Sequence, residues 1–212
     1  MKLTTKYEGS FMERLKQIVV IGVLILIAGC AVRSVYPLFE YKDIFPNPAI
    51  IGTWNVEESK DTYIFRQSGD KQYELLYFEE EYNTISRGHQ GAGDTAMFDI
   101  QLGKIGDSWF MDVYPEEKTQ QLHLRNTIYN HHQLRTHTFA KIQIDGDSMK
   151  VSPLESDWVE QLADSGKVPI PYVRTEGEVL FTASPQELQS FILKYVNEEK
   201  AFPHPGRFYR VK

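Results

Sequence analysis

Ile50-Ile51-Gly52-Thr53-Trp54-Asn55-Val56-Glu57, Thr62-Tyr63-Ile64-Phe65-Arg66-Gln67 and Gln72-Tyr73-Glu74-Leu75-Leu76-Tyr77-Phe78-Glu79 follow one another with only short breaks. Each run is dense in β-branched and aromatic residues, and turn formers such as Ser68-Gly69-Asp70 separate them, which is how consecutive strands read. The pattern continues outward through Thr95–Leu102, Ser108–Val113, Thr136–Ile144 and Ser148–Ser152, with Glu178–Ala183 as an eighth candidate. Gly103 to Asp107 joins the fourth run to the fifth, and Asp145-Gly146 is a two-residue hairpin turn. Sequential hairpins predict a mostly β, antiparallel meander of about eight strands, closed as a barrel or left as a half-barrel. Two longer connections interrupt it, at Asn83–Asp94 with its glycines and at Pro115–Arg135 with its histidines and asparagines.

Two helices complete the expectation. Ser184-Pro185-Gln186-Glu187 reads as a capping box with proline at the first helical position, and Leu188, Phe191, Ile192, Tyr195 and Val196 follow at helical spacing. This predicts a C-terminal amphipathic helix over 185–200. Asp157-Trp158-Val159-Glu160 reads as a second capping box opening a short internal helix that Gly166 can end in a left-handed cap.

Composition narrows the function classes. Hydrophobic residues at 42% and aromatics at 13% suit a globular chain with β leaning. Lys2, Lys6, Arg14 and Lys16 outnumber Glu8 and Glu13 by two before Cys30, so a chain at −6 overall carries −8 from Cys30 onward. Such a surface repels nucleic acid. Cys30 is the single cysteine, so the chain forms no internal disulfide and no cysteine-based zinc or iron–sulfur site.

Ile18 to Gly29 is an unbroken apolar run of 12 residues, preceded by Arg14 and Lys16 and closed by small residues, the order of a secretory signal peptide. At about 1.5 Å per residue it reaches only ~18 Å, short of the ~30 Å hydrocarbon core. Met12 offers an alternative start to Met1, since residues 12–29 alone make a complete short signal. Leu26-Ile27-Ala28-Gly29-Cys30 resembles the lipobox of bacterial lipoproteins. The resemblance implies cleavage before Cys30 and lipidation of its thiol, palmitate-like chains then anchoring the protein to a membrane of the cell envelope; the alternative is a lone buried cysteine after an ordinary signal. Ala31, rather than Asp, follows the cysteine, and in bacteria with two membranes that resemblance implies the outer one. The expected organisation is a signal peptide over 1–29, a lipidated cysteine and extended proline-containing tether over 30–48, and one β-rich domain over 49–212.

Gly52-Thr53-Trp54 resembles the Gly-x-Trp element that opens the first strand of lipocalins and related calycin barrels. The resemblance implies a lipocalin-like barrel with Gly52 and Trp54 as a structural motif, and with Arg207 or Arg210 placed to cover the tryptophan face. Pro37-Leu38-Phe39, Lys42-Asp43-Ile44, Trp109-Phe110-Met111-Asp112, His137-Thr138-Phe139 and Leu188–Phe191 also resemble a group of uncharacterised bacterial lipoproteins, which implies no particular activity.

Catalytic patterns are lacking: the sequence holds no Gly-x-Ser-x-Gly elbow, no phosphate-binding Walker loop and no second cysteine. His131 and His132 are the metal-ligand candidates among the clustered His123, His131, His132 and His137, yet no pair takes the helical spacing of a zinc enzyme. The expectation is no metal and no cofactor, with His137 as a structural hydrogen-bonding residue. Two readings of function remain. One is a membrane-anchored lipoprotein that binds a small apolar or amphipathic ligand inside its aromatic-lined β-fold. The other is a non-catalytic lipoprotein that supports an envelope protein complex, and a filled interior would favour it.

Overall fold

The computed structural model describes residues 32–56, 59, 61–78, 95–116, 134–175, 178–203 and 205–212. Within them one sheet of eleven strands carries the chain: β1 (Arg33–Ser34), β2 (Gly52–Val56), β3 (Thr62–Gln67), β4 (Gln72–Phe78), β5 (Thr95–Ile105), β6 (Ser108–Pro115), β7 (His137–Asp145), β8 (Ser148–Pro153), β9 (Tyr172–Thr175), β10 (Glu178–Phe181) and β11 (Gly206–Arg210). Two helices, α1 (Ser156–Asp164) and α2 (Pro185–Tyr195), lie between β8 and β11.

Strands β2 to β8 pair in sequence, each antiparallel to the next, as the hairpin turns dictate. β11 then inserts antiparallel between β8 and β2 and closes an eight-stranded barrel. This corrects one expectation. The eighth barrel strand is β11, whereas Glu178–Phe181 forms a strand outside the barrel, paired with β9 and with β1. Val179, Leu180 and Phe181 are buried in succession, because β10 is covered on both faces rather than lining a barrel wall.

Alternation along the barrel strands sorts side chains into two cores. Inward-pointing Trp54, Phe65, Tyr73, Leu75, Ile100, Leu102, Met111, Ile142, Met149 and Phe208 are buried in the barrel interior. Outward-pointing Ile105, Phe110 and Phe139 are buried too, since a second layer covers β5, β6 and β7 from outside. That layer consists of α1, α2, the β9–β10 hairpin and residues 32–45. Trp158 and Val159 of α1 and Leu188, Phe191 and Ile192 of α2 fill it.

The lead-in read as an extended tether is therefore part of the domain. Val32, Leu38, Phe39 and Ile44 are each at most 3% exposed. The Phe39 ring lies where a Cβ at Gly103 would stand, so that glycine is what lets the lead-in approach the barrel wall. β1 joins the two layers, running antiparallel to β7 on one side and parallel to β10 on the other.

The helix signals hold with adjusted ends. Ser184 Oγ accepts from the Glu187 backbone N–H while the Glu187 carboxylate accepts from the Ser184 N–H, a complete capping box. The Ser184 N–H, then its hydroxyl, hold the Glu187 carboxyl below its usual pKa. α2 stops at Tyr195 rather than 200 because the chain turns there and brings Ala201 beneath α1, where its carbonyl accepts from the Glu155 N–H at 3.0 Å. α1 spans Ser156–Asp164 with Glu155 at its N-cap and no side-chain cap, so the capping box expected at Asp157 does not form, and Gly166 follows at φ 66° in the left-handed region expected of it.

Candidate functional site

The barrel has two unlike ends. At one, the short turns after β3, β5 and β7 gather with the 3₁₀ turn Pro48–Ile50 and the end of β11. Trp54, fully buried, donates its indole N–H to the Ile50 carbonyl at 2.8 Å. The Arg210 guanidinium lies over its ring, 4.2 Å from the centroid, and donates to the carbonyls of Ile51 and Ala49 at 2.5 and 2.8 Å. A cation over an indole face adds about 0.5–2 kcal/mol depending on desolvation. Gly52 makes the arrangement possible: its φ is 140°, and a Cβ there would run into the same guanidinium. Gly52, Trp54 and Arg210 thus form one sealed floor. Arg207, the other arginine considered for this role, points outward from β11.

Towards the opposite end the inward positions become half-exposed. Val56, Tyr77, Phe98 and Val113 sit against the interior cluster without being fully buried. Tyr63 lies just below them, its ring 4.9 Å from Tyr77 and 5.0 Å, edge-on, from Phe208, and the Tyr77 hydroxyl donates to Asp61 Oδ2 at 3.2 Å. Floor and middle of the barrel are therefore occupied by side chains, and the half-exposed apolar positions lie towards the two ends, with Ile51, Trp109 and Ile144 at the floor end.

A third cluster sits outside the wall. Asp112 points outward from the middle of β6 and is 2% exposed, a burial that a lone carboxylate does not tolerate. Its Oδ2 accepts from the Leu38 backbone N–H at 2.7 Å and its Oδ1 meets His137 Nδ1 at 2.8 Å. The His137 ring stacks on Tyr114 at 4.3 Å, and the Arg135 guanidinium lies over the same Tyr114 ring, 5.1 Å from its centroid. Ser34, directly opposite His137 across the β1–β7 pair, is also buried, but its hydroxyl is engaged with Tyr36, donating to the carbonyl at 2.8 Å. The carboxylate works as a clamp that fixes the lead-in to the barrel, with His137 in the hydrogen-bonding role expected from sequence.

Asp112→Ala should lower stability by about 1–3 kcal/mol, since it leaves a buried N–H at Leu38 without its acceptor. A urea titration of the soluble domain checks this: the midpoint falls, and Asp112→Asn, which keeps one acceptor oxygen, recovers part of the loss.

An outer groove of about 400 Å³ lies between β7–β8 and the segment after α2, lined among others by Lys141, Lys150, Glu198, Glu199 and Phe202. Lys141 Nζ donates to the Val196 carbonyl at 3.0 Å and pins that segment across the wall. With both signs of charge in its lining, the groove selects no ligand chemistry.

No family model, curated protein or solved structure matches this chain.

The structure brings together Gly52 and Trp54 and adds Arg210 to them. Cys30 with Leu26, Ile27, Ala28 and Gly29, the metal candidates His131 and His132, and the loop Asn83–Asp94 all lie outside the described residues. Asp112 was not legible as a site residue. Its one signal, a carboxylate at the centre of Trp109-Phe110-Met111-Asp112-Val113-Tyr114, is weak because the same residue on an exposed strand face would read identically.

Proposed function

We propose that the chain is a lipid-anchored protein of the bacterial cell envelope whose barrel is a rigid body for interaction with an envelope partner. The single observation that supports this reading is the occupied barrel interior: Trp54, Ile100, Leu102 and Met149 are at most 1% exposed, where a ligand-carrying barrel of eight strands needs free volume. The lipobox-like Leu26–Cys30 supports the anchor. Two or three acyl chains on one cysteine give attachment that a single chain cannot, each buried methylene adding about 0.8 kcal/mol.

A second reading has its own observation. Val56, Tyr77, Phe98 and Val113 form a half-exposed apolar rim, which suits a shallow contact with a small apolar or amphipathic molecule at the upper end of the barrel. Native mass spectrometry of the protein released from its own membrane separates the two. Bare protein mass together with a co-purifying protein supports the interaction role, and a stoichiometric small-molecule adduct lost in Phe98→Asp supports the shallow site.

The anchor itself is tested by Cys30→Ser, expected to abolish incorporation of a clickable fatty acid and to leave either uncleaved precursor or protein released from the membrane. Equal labelling of wild type and variant would overturn it.

A further inference from the structure

We infer that the domain sits flush against the bilayer surface, with the face formed by β1 and the adjoining strand ends at Thr175 and Glu178 turned toward the lipid headgroups. The inference rests on lipidation of Cys30 and adds the orientation that such an anchor imposes on this fold.

The short link between the cysteine and the folded domain sets the orientation. Only Ala31 separates Cys30 from Val32. Two virtual bonds of about 3.8 Å place the Cys30 Cα within about 8 Å of the Val32 Cα whatever conformation the link takes. Val32 is not a loose end: it is 3% exposed, and its N–H donates to the Leu154 carbonyl at 3.5 Å. The next residues are fixed from both sides, Arg33 by Thr138 and Leu180, Ser34 by His137 and Phe181, and the Val35 N–H donates to the Phe181 carbonyl at 2.9 Å. A lipidated Cys30 holds its acyl chains in the hydrocarbon, and the headgroup layer above is only about 6 Å thick on each side. Val32 therefore comes to lie at the headgroup surface, and the rigid domain comes with it.

The chain carries −8 from Cys30 onward, which an anionic bilayer repels. Among the described residues beside the anchor point, Arg33 pairs with Glu178, and Arg174 of β9 pairs with Asp164 at 2.6 Å. β3 lies diametrically across the barrel from β7, so its outward face is the one turned to water.

The test uses the full chain, lipidated in cells, purified and reconstituted in phosphatidylcholine vesicles containing a headgroup-nitroxide lipid. A fluorophore is placed at Thr175→Cys, at the exposed end of β9, or at Arg66→Cys, on the outward face of β3. Expected is a several-fold larger quenching at Thr175 than at Arg66, abolished when a flexible Gly/Ser segment is inserted between Ala31 and Val32. Vesicle-bound protein with equal quenching at the two positions, or with quenching unaffected by the insertion, overturns the orientation while leaving the anchor intact. Protein that fails to float with the vesicles overturns the anchor and the orientation together.

Discussion

A soluble chain that begins at Ala49 will fail to hold its outer layer, whereas one that begins at Val32 will fold. The missing segment contributes Val32, Leu38, Phe39 and Ile44, all essentially fully buried. At about 1.5–3 kcal/mol for each buried apolar side chain, their loss amounts to roughly 6–12 kcal/mol, comparable with the whole stability of about 5–15 kcal/mol typical of a domain. The truncation also removes β1, leaving the β10 edge and the outer edge of β7 unpaired, and strips Asp112 of its Leu38 partner. Native hydrogen exchange checks the expectation. Amides of α1 and α2 should lose protection in the shortened chain; protection equal to that of the longer chain would refute it.

Trp54→Ala should lower stability by about 3–5 kcal/mol, the usual cost of emptying a fully buried large aromatic site. The position admits little relaxation, because the backbone around it is fixed from three sides: the 3₁₀ turn receives the indole N–H, Gly52 holds a positive φ, and Arg210 bonds the carbonyls of Ala49 and Ile51. Removing the ring takes away the surface on which the guanidinium rests and loosens the seam between β2 and β11 that closes the barrel. A urea melt followed by far-ultraviolet circular dichroism measures the shift, and an unchanged midpoint would show that the ring carries no such load. Gly52→Ala should act on the same seam, since its Cβ displaces the guanidinium.

The seven meander strands were legible because each is a short run dense in β-branched and aromatic residues set off by turn formers or longer connections, so local preference and global pairing agree. α2 was legible for the same reason, its cap and its apolar face pointing to one helix. Arg210 was a candidate, with Arg207, only through the Gly-x-Trp resemblance; once Gly206–Arg210 is a strand with Phe208 inward, alternation puts Arg210 on the Phe208 side and Arg207 outward.

By itself, then, the sequence determined the strand-forming runs, their turns, the capped C-terminal helix and the Gly52–Trp54 element. These depend on backbone preference and on the period of apolar residues, which neighbours along the chain suffice to express. Tertiary structure decided the rest. Gly206–Arg210 has one inward apolar residue, Phe208, between prolines and arginines, and becomes a strand because β2 and β8 offer it hydrogen-bonding edges on both sides. The more apolar Glu178–Phe181 is excluded from the barrel by the same competition and finds its partners in β1 and β9. Residues 32–45 have no period to read, since each apolar side chain enters the outer core singly from irregular backbone, and Asp112 is buried only because that segment covers it. Such positions are set by contacts between residues far apart in the chain, and those contacts exist only once the barrel has closed.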